Sequence, residues 1–232
     1  MNTYRYNAVV VGVLYIAATV AGVLSVVALS PVKDAADFLV AYAANDNRVI
    51  AGALLEITMA VAIAGIGFMI YPVLRKVNEG LALWYVGARL VESVMFIVGV
   101  ICLLSVLSLS QELVTAVGPD ASYFQSLGTV LLAARDWSAG MLSNVAGFGL
   151  SMLFFYYLLY RSRLVPRWLS GWGLVGAIPY IAAGILILFG EDTGTSFITL
   201  MYLPIAVNEM VLAVWLIVKG FNQPAIAALE TG

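Results

Sequence analysis

Two oppositely charged residues, Arg89 and Glu92, lie three positions apart inside a strongly apolar stretch. At this spacing both side chains project from one face of a helix, about one turn apart. A charge in the hydrocarbon of a membrane costs roughly 2.5–3.5 kcal/mol, so such side chains are expected to face the interior of a helix bundle and to be paired. Glu209, far away in the sequence, is the expected third member of this group.

One arginine and two glutamates would carry a net charge of −1 if all three were ionised. Burial away from water disfavours the charged form of a carboxyl group, so we expect Glu92 and Glu209 to share one proton. A carboxyl group that can hold or release a proton is a candidate relay or ligand-binding group. The alternative is that the three charges only hold the helices in register. The sequence leaves both interpretations open.

Distance along the helices sorts the polar residues into two layers. Arg89 and Glu209 each lie about ten residues from the same membrane edge, which is roughly 15 Å at 1.5 Å per residue. Glu92 lies about one turn further along. Asn208 is expected to add hydrogen bonds to this central layer, whereas Asn144 is expected to lie further out and to bridge outward from it.

The second layer is expected near the opposite membrane edge and contains Glu56, Arg135 and Asp136. Glu56 and Arg135 could form an ion pair there. The favoured interpretation is instead that these side chains extend independently to the interface, because charged groups this close to the membrane edge can reach water.

Composition places the chain in a membrane. Of its 232 residues, 63% are hydrophobic and 10% are charged, whereas soluble domains carry about 25% charged residues. The chain has no histidine and a single cysteine, Cys102, which excludes histidine-bearing zinc sites, serine–histidine catalysis and an internal disulfide. The acidic residues show no metal-ligand spacing, so no metal and no cofactor are expected. The net charge of −2 gives no reason to expect a nucleic-acid partner.

Six segments are long enough to cross a bilayer, which takes about 20 apolar residues. The sequence therefore predicts an all-α polytopic transmembrane bundle of six helices, with two short amphipathic helices on the outer surface. Pro31 is expected to end the first span, and Pro119-Asp120 to begin the second amphipathic helix. The predicted spans cover residues 7–29, 49–74, 81–109, 138–160, 168–189 and 196–218, and the amphipathic helices cover residues 33–45 and 123–134.

These spans form one predicted domain, residues 1–220, followed by a short disordered cytoplasmic tail, residues 221–232. Six spans place both termini on one side and the turn Glu191-Asp192 on the other. The side with the termini holds seven of the 11 Lys and Arg residues and the other side holds three, which predicts cytoplasmic termini by the positive-inside rule. The seven are Arg5, Arg75, Lys76, Arg161, Arg163, Arg167 and Lys219, and the three are Lys33, Arg48 and Arg135.

Three stretches together resemble the bacterial DUF4386 family: ARLVES at 88–93, YRSRLVPRWLSGWGLVG at 160–176 and NEMVLAVWLIVKGF at 208–221. The resemblance extends over nearly the whole chain and includes the number of spans. It implies a multi-pass protein of the bacterial cytoplasmic membrane with no assigned function. The family offers no established catalytic residues to transfer to this chain.

Three functions are compatible with the sequence. The favoured one is binding or movement of a small amphiphile, lipid or proton at Arg89 and the glutamates, in a cavity between helices that proline kinks at Pro179 and Pro204 help to open. The second is a structural or assembly protein. The third is an intramembrane enzyme that uses Glu92 or Glu209 as a general acid or base; a non-enzymatic role is favoured because no nucleophile is recognisable.

The expected partners follow from the membrane environment. They are membrane lipid and a small amphiphilic ligand, with no nucleic acid, and the sequence leaves the oligomeric state open.

Overall fold

The computed structural model describes residues 3–33, 35–115, 121–189 and 195–231, and these residues form helices without strands. The predicted helix start at Pro119-Asp120 and the predicted turn Glu191-Asp192 lie outside the described residues. The helices are α1 (Thr3–Lys33), α2 (Phe38–Ala44), α3 (Asp46–Leu74), α4 (Glu79–Thr115), α5 (Ala121–Arg135), a π-helical segment (Asp136–Gly149), α6 (Leu150–Ser162), α7 (Arg167–Leu188), α8 (Thr195–Val218) and α9 (Gln223–Thr231).

Six of these helices are long and apolar enough to cross a membrane, which confirms the predicted all-α bundle of six spans. The spans are α1, α3, α4, the continuous rod formed by α5, the π-helical segment and α6, then α7 and α8. Each span packs against the next, and α8 returns to pack against α1, so the six form a closed ring. The third and sixth spans, α4 and α8, therefore face each other across the ring and are not neighbours, contrary to the simplest form of the sequence prediction.

The fourth span departs from regular α-helix in its middle. The helix passes from α5 into the π-helical segment and on into α6 without interruption, so the second predicted amphipathic helix is part of this span. The π-helical segment lies directly against α4, because a Cβ atom at Gly147 would stand only 2.5 Å from the Cβ of Glu92. Only glycine permits this approach. π-helical turns are rare and concentrate at functional sites.

The first predicted amphipathic helix is present but shorter. α2 begins after Asp37, whose side chain accepts a hydrogen bond from the Val40 backbone N–H at 3.3 Å. Leu39 and Tyr42 are buried against the bundle. Burial raises the pKa of the Tyr42 phenol, so this ring packs in its neutral form.

Pro31 does not end the first span, because α1 continues to Lys33. A proline lacks the N–H that would bond the carbonyl four residues earlier, which here is that of Val27. Arg48 from α3 replaces the missing donor: its Nη2 lies 3.3 Å from the Val27 oxygen and its Nε lies 2.7 Å from the Ala28 oxygen. A donor from a neighbouring helix thus allows the helix to pass through the proline.

The predicted disordered tail is wrong for residues 221–231. Phe221 and Ile226 are buried, and the Asn222 backbone N–H donates to the Leu164 oxygen at 2.9 Å, so α9 and the turn before it pack on the bundle. Burial of two apolar side chains supplies the stabilisation that composition alone did not reveal.

The chain termini meet at one end of the bundle, which we call the terminal end. The Arg5 side chain donates from Nη1 to the Leu216 oxygen at 3.2 Å and from Nη2 to the Ile217 oxygen at 2.6 Å. These carbonyls belong to the last turn of α8 and have no intrahelical partner. Arg5 thereby caps α8 and fastens the first span to the last.

Candidate functional site

Arg89 and Glu92 form a buried ion pair on one face of α4. Arg89 Nη1 lies 2.9 Å from Glu92 Oε2, and the two side chains are 3% and 6% exposed. Gly67 of α3 packs beside the base of the arginine, since a Cβ atom there would lie 3.4 Å from Arg89 Cβ. The predicted pairing of this Arg–x–x–Glu spacing is confirmed, and neither charge faces lipid.

Two aromatic rings enclose the guanidinium group. Arg89 Cζ lies 5.9 Å from the ring centre of Tyr15 in α1 and 5.5 Å from that of Phe148 in the π-helical segment. Both distances are in the range of cation–π attraction, which is strongest where the cation is desolvated. Among the described residues, Arg89 Nε nevertheless has no hydrogen-bond partner, and Glu92 Oε2 has none despite its proximity to Nη1. The ion pair therefore has a hydrogen-bond donor and an acceptor available for a further partner.

A cavity of about 160 Å³ lies beside this ion pair, at the centre of the ring. All six spans contribute side chains to it, and its apolar wall includes Ile63 and Phe96. The polar and charged residues that line it are Tyr15, Thr19, Arg89, Glu92, Asn144, Tyr180 and Glu209. We call this space the central cavity.

Glu209 reaches the central cavity from the opposite side of the ring. It is half-buried and lies in the membrane-spanning part of α8. Among the described residues no direct ion pair joins Glu209 to Arg89 or any other cation. Sequence reasoning placed Arg89, Glu92 and Glu209 together, and the structure brings them to one cavity, with Glu209 separate from the ion pair.

Asn144 lines the central cavity, whereas Asn208 does not. The Tyr180 hydroxyl donates a hydrogen bond to Asn144 Oδ1, which ties α7 to the π-helical segment. Asn208 is fully buried, and its Nδ2 donates to the Leu169 oxygen of α7 at 3.0 Å. The expected contribution of Asn208 to the central charges is thus replaced by a contact that joins α8 to α7.

Tyr15 and Tyr180 are cavity residues that sequence reasoning missed. Tyr180 contacts Phe148 edge to face at 4.9 Å between ring centres, and both rings line the cavity. The Tyr180 hydroxyl also holds Asn144 by a hydrogen bond. A hydroxyl group in the middle of an apolar span was the available signal, because a buried Tyr O–H usually has a hydrogen-bond partner.

A layer of aromatic residues separates the central cavity from the terminal end. Tyr85, one turn from Arg89 in that direction, stacks on Phe155 at 5.0 Å between ring centres, and Tyr156 packs beside them at 5.2 Å from Phe155. All three side chains are fully buried. The Tyr156 hydroxyl group has no hydrogen-bond partner among the described residues. The layer therefore combines a steric barrier with polar groups that water or a moving proton could use.

The second polar layer forms a specific contact. Arg135 holds Glu56 through two contacts, Nη2–Oε1 at 2.5 Å and Nη1–Oε2 at 3.0 Å, and its Nη1 also donates to the Gly99 oxygen at 3.0 Å. Glu56 is only 6% exposed, so the interpretation of independent side chains reaching the interface is wrong for this pair. We call Glu56 and Arg135 the outer pair. Asp136 lies apart from it in an exposed ion pair with Lys33 at 2.8 Å.

The donor set of the central cavity does not suit a metal ion. Among the described residues no three Asp, Glu or Cys side chains lie together in a way that could hold one. The cavity offers one arginine already paired with a carboxylate, and one separate carboxylate. This arrangement suits a proton or a small polar ligand.

Fold and site define a multi-pass helical membrane protein with a polar cavity in the middle of its bundle. The chain belongs to the DUF4386 family, whose family model, described as a domain of unknown function, matches residues 10–220. No curated protein and no solved structure matches the chain. The matched range includes every residue of the central cavity and of the outer pair.

Proposed function

We propose that this protein binds and releases a proton at the carboxyl groups of the central cavity, and that a small solute can share the cavity with it. The observation that carries the proposal is the charge balance there. Arg89 is neutralised by Glu92, whereas Glu209 lines the same cavity with no ion-pair partner among the described residues. A lone carboxylate in a low-dielectric site is costly, and it is neutralised most simply by taking up a proton.

Cavity size supports a small ligand. The volume of about 160 Å³ corresponds to about five water molecules at about 30 Å³ each. Sites for drug-sized molecules measure about 300–1,000 Å³. Of the ligands that the sequence suggested, a proton with its hydrating water suits the central cavity better than an intact lipid.

A register-holding role is less well supported for the central charges. Arg89 and Glu92 lie on the same helix, so their ion pair does not join two helices. The outer pair does join different helices, because Arg135 at the end of α5 contacts Glu56 of α3 and the Gly99 carbonyl of α4. We therefore assign the structural role to the outer pair and the proton-binding role to the central cavity.

Proton exchange can be measured in vesicles. Purified protein is reconstituted into lipid vesicles that contain a pH-sensitive dye. A potassium gradient with valinomycin then sets up a membrane potential that drives protons into the vesicles. We expect wild-type vesicles to acidify faster than protein-free vesicles, and Glu209→Gln to reduce the rate to the protein-free level. The control Glu230→Gln changes a carboxylate in α9, outside the spans, and should leave the rate unchanged. Equal rates with wild-type protein and without protein, or full flux in Glu209→Gln, would contradict the proposal.

We further propose that the chain lies in the bacterial cytoplasmic membrane with both termini in the cytoplasm. Support comes from the excess of basic residues at the terminal end. In a Cys102→Ser background, Asn47→Cys should react with a membrane-impermeant maleimide on intact cells, and Lys76→Cys should react only after permeabilisation. Both positions are exposed at opposite ends of α3. The reverse labelling pattern would exclude this orientation.

A further inference from the structure

The terminal end carries a basic pocket that is separate from the central cavity. It has a volume of about 530 Å³ and lies between the α6–α7 connection and the end of α8. Arg163, Arg167 and Lys219 line it together with Trp215. Among the described residues none of these three cations has a carboxylate partner. The pocket thus presents unneutralised positive charge at the membrane edge.

An apolar groove of about 460 Å³ continues from this pocket along α8. Trp215 and Lys219 line both spaces, so the two adjoin at these side chains. Beyond them the groove is walled by aliphatic side chains such as Val211 and Val214, and Val214 is 54% exposed on the lipid-facing surface. Trp215 also packs edge to face with Trp168 at 6.4 Å between ring centres. Tryptophans at this depth are typical of the membrane–water interface.

We propose that the pocket and groove together bind one anionic phospholipid of the surrounding membrane. The phosphodiester group lies among Arg163, Arg167 and Lys219, and an acyl chain lies in the groove along α8. Arginine matches a phosphate group with two parallel hydrogen bonds, and basic pockets at a membrane edge favour anionic head groups. A free phosphate would satisfy the cations but leave the apolar groove unused, so the position of the groove next to the basic pocket favours a lipid.

The backbone of Arg163 supplies an independent observation. Arg163 ends α6 with φ = 57°, in the left-handed region, and it is the only non-glycine residue with positive φ in the described chain. Glycine is the usual residue at this position of a helix end, because a side chain there costs conformational energy. Non-glycine residues in this conformation concentrate at functional sites. The helix end thus places an arginine side chain, and not the usual glycine, beside the basic pocket.

The proposal is tested by the thermal stability of the full chain in a nonionic detergent. Phosphatidylglycerol is titrated against the protein, with phosphatidylcholine as the zwitterionic lipid and glycerol phosphate as the head group without acyl chains. We expect phosphatidylglycerol to raise Tm with a saturable midpoint, and the other two compounds to leave Tm unchanged. A full response to glycerol phosphate, or an equal response to phosphatidylcholine, would overturn the proposal.

A matched pair of double variants tests the head-group contacts. Arg167→Gln with Lys219→Gln should shift the phosphatidylglycerol midpoint to about 30-fold higher concentration, since each lost cation near the surface weakens binding by about five- to sixfold. The control is Arg75→Gln with Lys76→Gln at the same end of the bundle. It removes the same charge, and Arg75 lies over a tyrosine ring at 5.9 Å as Arg167 does at 5.2 Å. Equal shifts in both double variants would show general charge attraction and would overturn the specific site.

A second pair of variants tests the groove. Val214→Phe fills the groove and should raise the phosphatidylglycerol midpoint several-fold, because the acyl chain loses its contact surface. Val61→Phe on the lipid-facing side of α3 adds the same ring elsewhere and should have no effect. An unchanged midpoint in Val214→Phe would exclude the groove as the acyl-chain site. These readouts do not depend on proton exchange, so the lipid proposal and the central-cavity proposal can fail separately.

Discussion

At the scale of single residues, the central question is how one arginine is kept inside a membrane bundle. Arg89 is 3% exposed, and its charge is balanced by Glu92 on the same helix and by the faces of two aromatic rings. Removing one partner of a buried ion pair leaves the other uncompensated, which is more costly than losing the pair. Glu209 has no such partner among the described residues. The two glutamates should therefore respond differently to neutralisation.

We expect Glu92→Gln to lower the free energy of unfolding by about 3 kcal/mol, because Arg89 then remains buried without a carboxylate. Glu209→Gln should change it by less than about 1 kcal/mol, because it removes a carboxylate that makes no ion pair. Thermal unfolding of the purified variants in one detergent gives the comparison. Equal losses in the two variants would mean that Glu209 also neutralises Arg89.

The residue scale also shows what the sequence could and could not predict. The spacing of Arg89 and Glu92 predicted their pairing, because it depends only on helix geometry. Asn208 was misplaced because depth along a helix says nothing about direction around it. Adjacent residues project about 100° apart, so Glu209 faces the central cavity while Asn208 faces Leu169 of α7.

At the scale of elements, the π-helical segment positions the site more than any other part of the chain. It supplies Asn144 and Phe148 to the central cavity, and Gly147 brings its backbone against α4 at Glu92. The apolar periodicity of the fourth span predicted a membrane helix but not this change of helix type. A wider helical turn depends on local backbone contacts, which hydropathy does not encode.

Gly147→Ala tests this element. A Cβ atom would lie 2.5 Å from Glu92 Cβ and 2.6 Å from its Cα, so α4 and the π-helical segment must separate. We expect a loss of about 1–3 kcal/mol in the free energy of unfolding, as for other overpacked sites, together with slower proton entry into vesicles. The matched control is Gly140→Ala in the same segment, where a Cβ atom meets nothing within 4 Å. Similar losses of unfolding free energy in both variants would show that the effect comes from helix conformation and not from the contact with Glu92.

At the scale of the whole molecule, the sequence predicted six spans but not their order around the ring. Hydropathy and depth arguments apply to one helix at a time, whereas the order around the ring depends on which faces pack together. The ring places α4 and α8 opposite each other, and this separation makes room for a cavity between Arg89 and Glu209. The two polar layers also differ in what they contact: the outer pair joins helices, and the central charges line the central cavity.

This difference predicts that substitutions in the outer pair affect the stability of the fold but not proton entry. Arg135→Met alone leaves Glu56 buried and unpaired, and should cost about 3 kcal/mol in the free energy of unfolding. The double variant Glu56→Met with Arg135→Met replaces the outer pair by apolar side chains of similar length, and should recover most of this loss. Because we assign to the outer pair only the joining of helices, we expect vesicles with the folded double variant still to admit protons at the wild-type rate. Loss of proton entry in that variant, with normal thermal stability, would place the outer pair on the proton path.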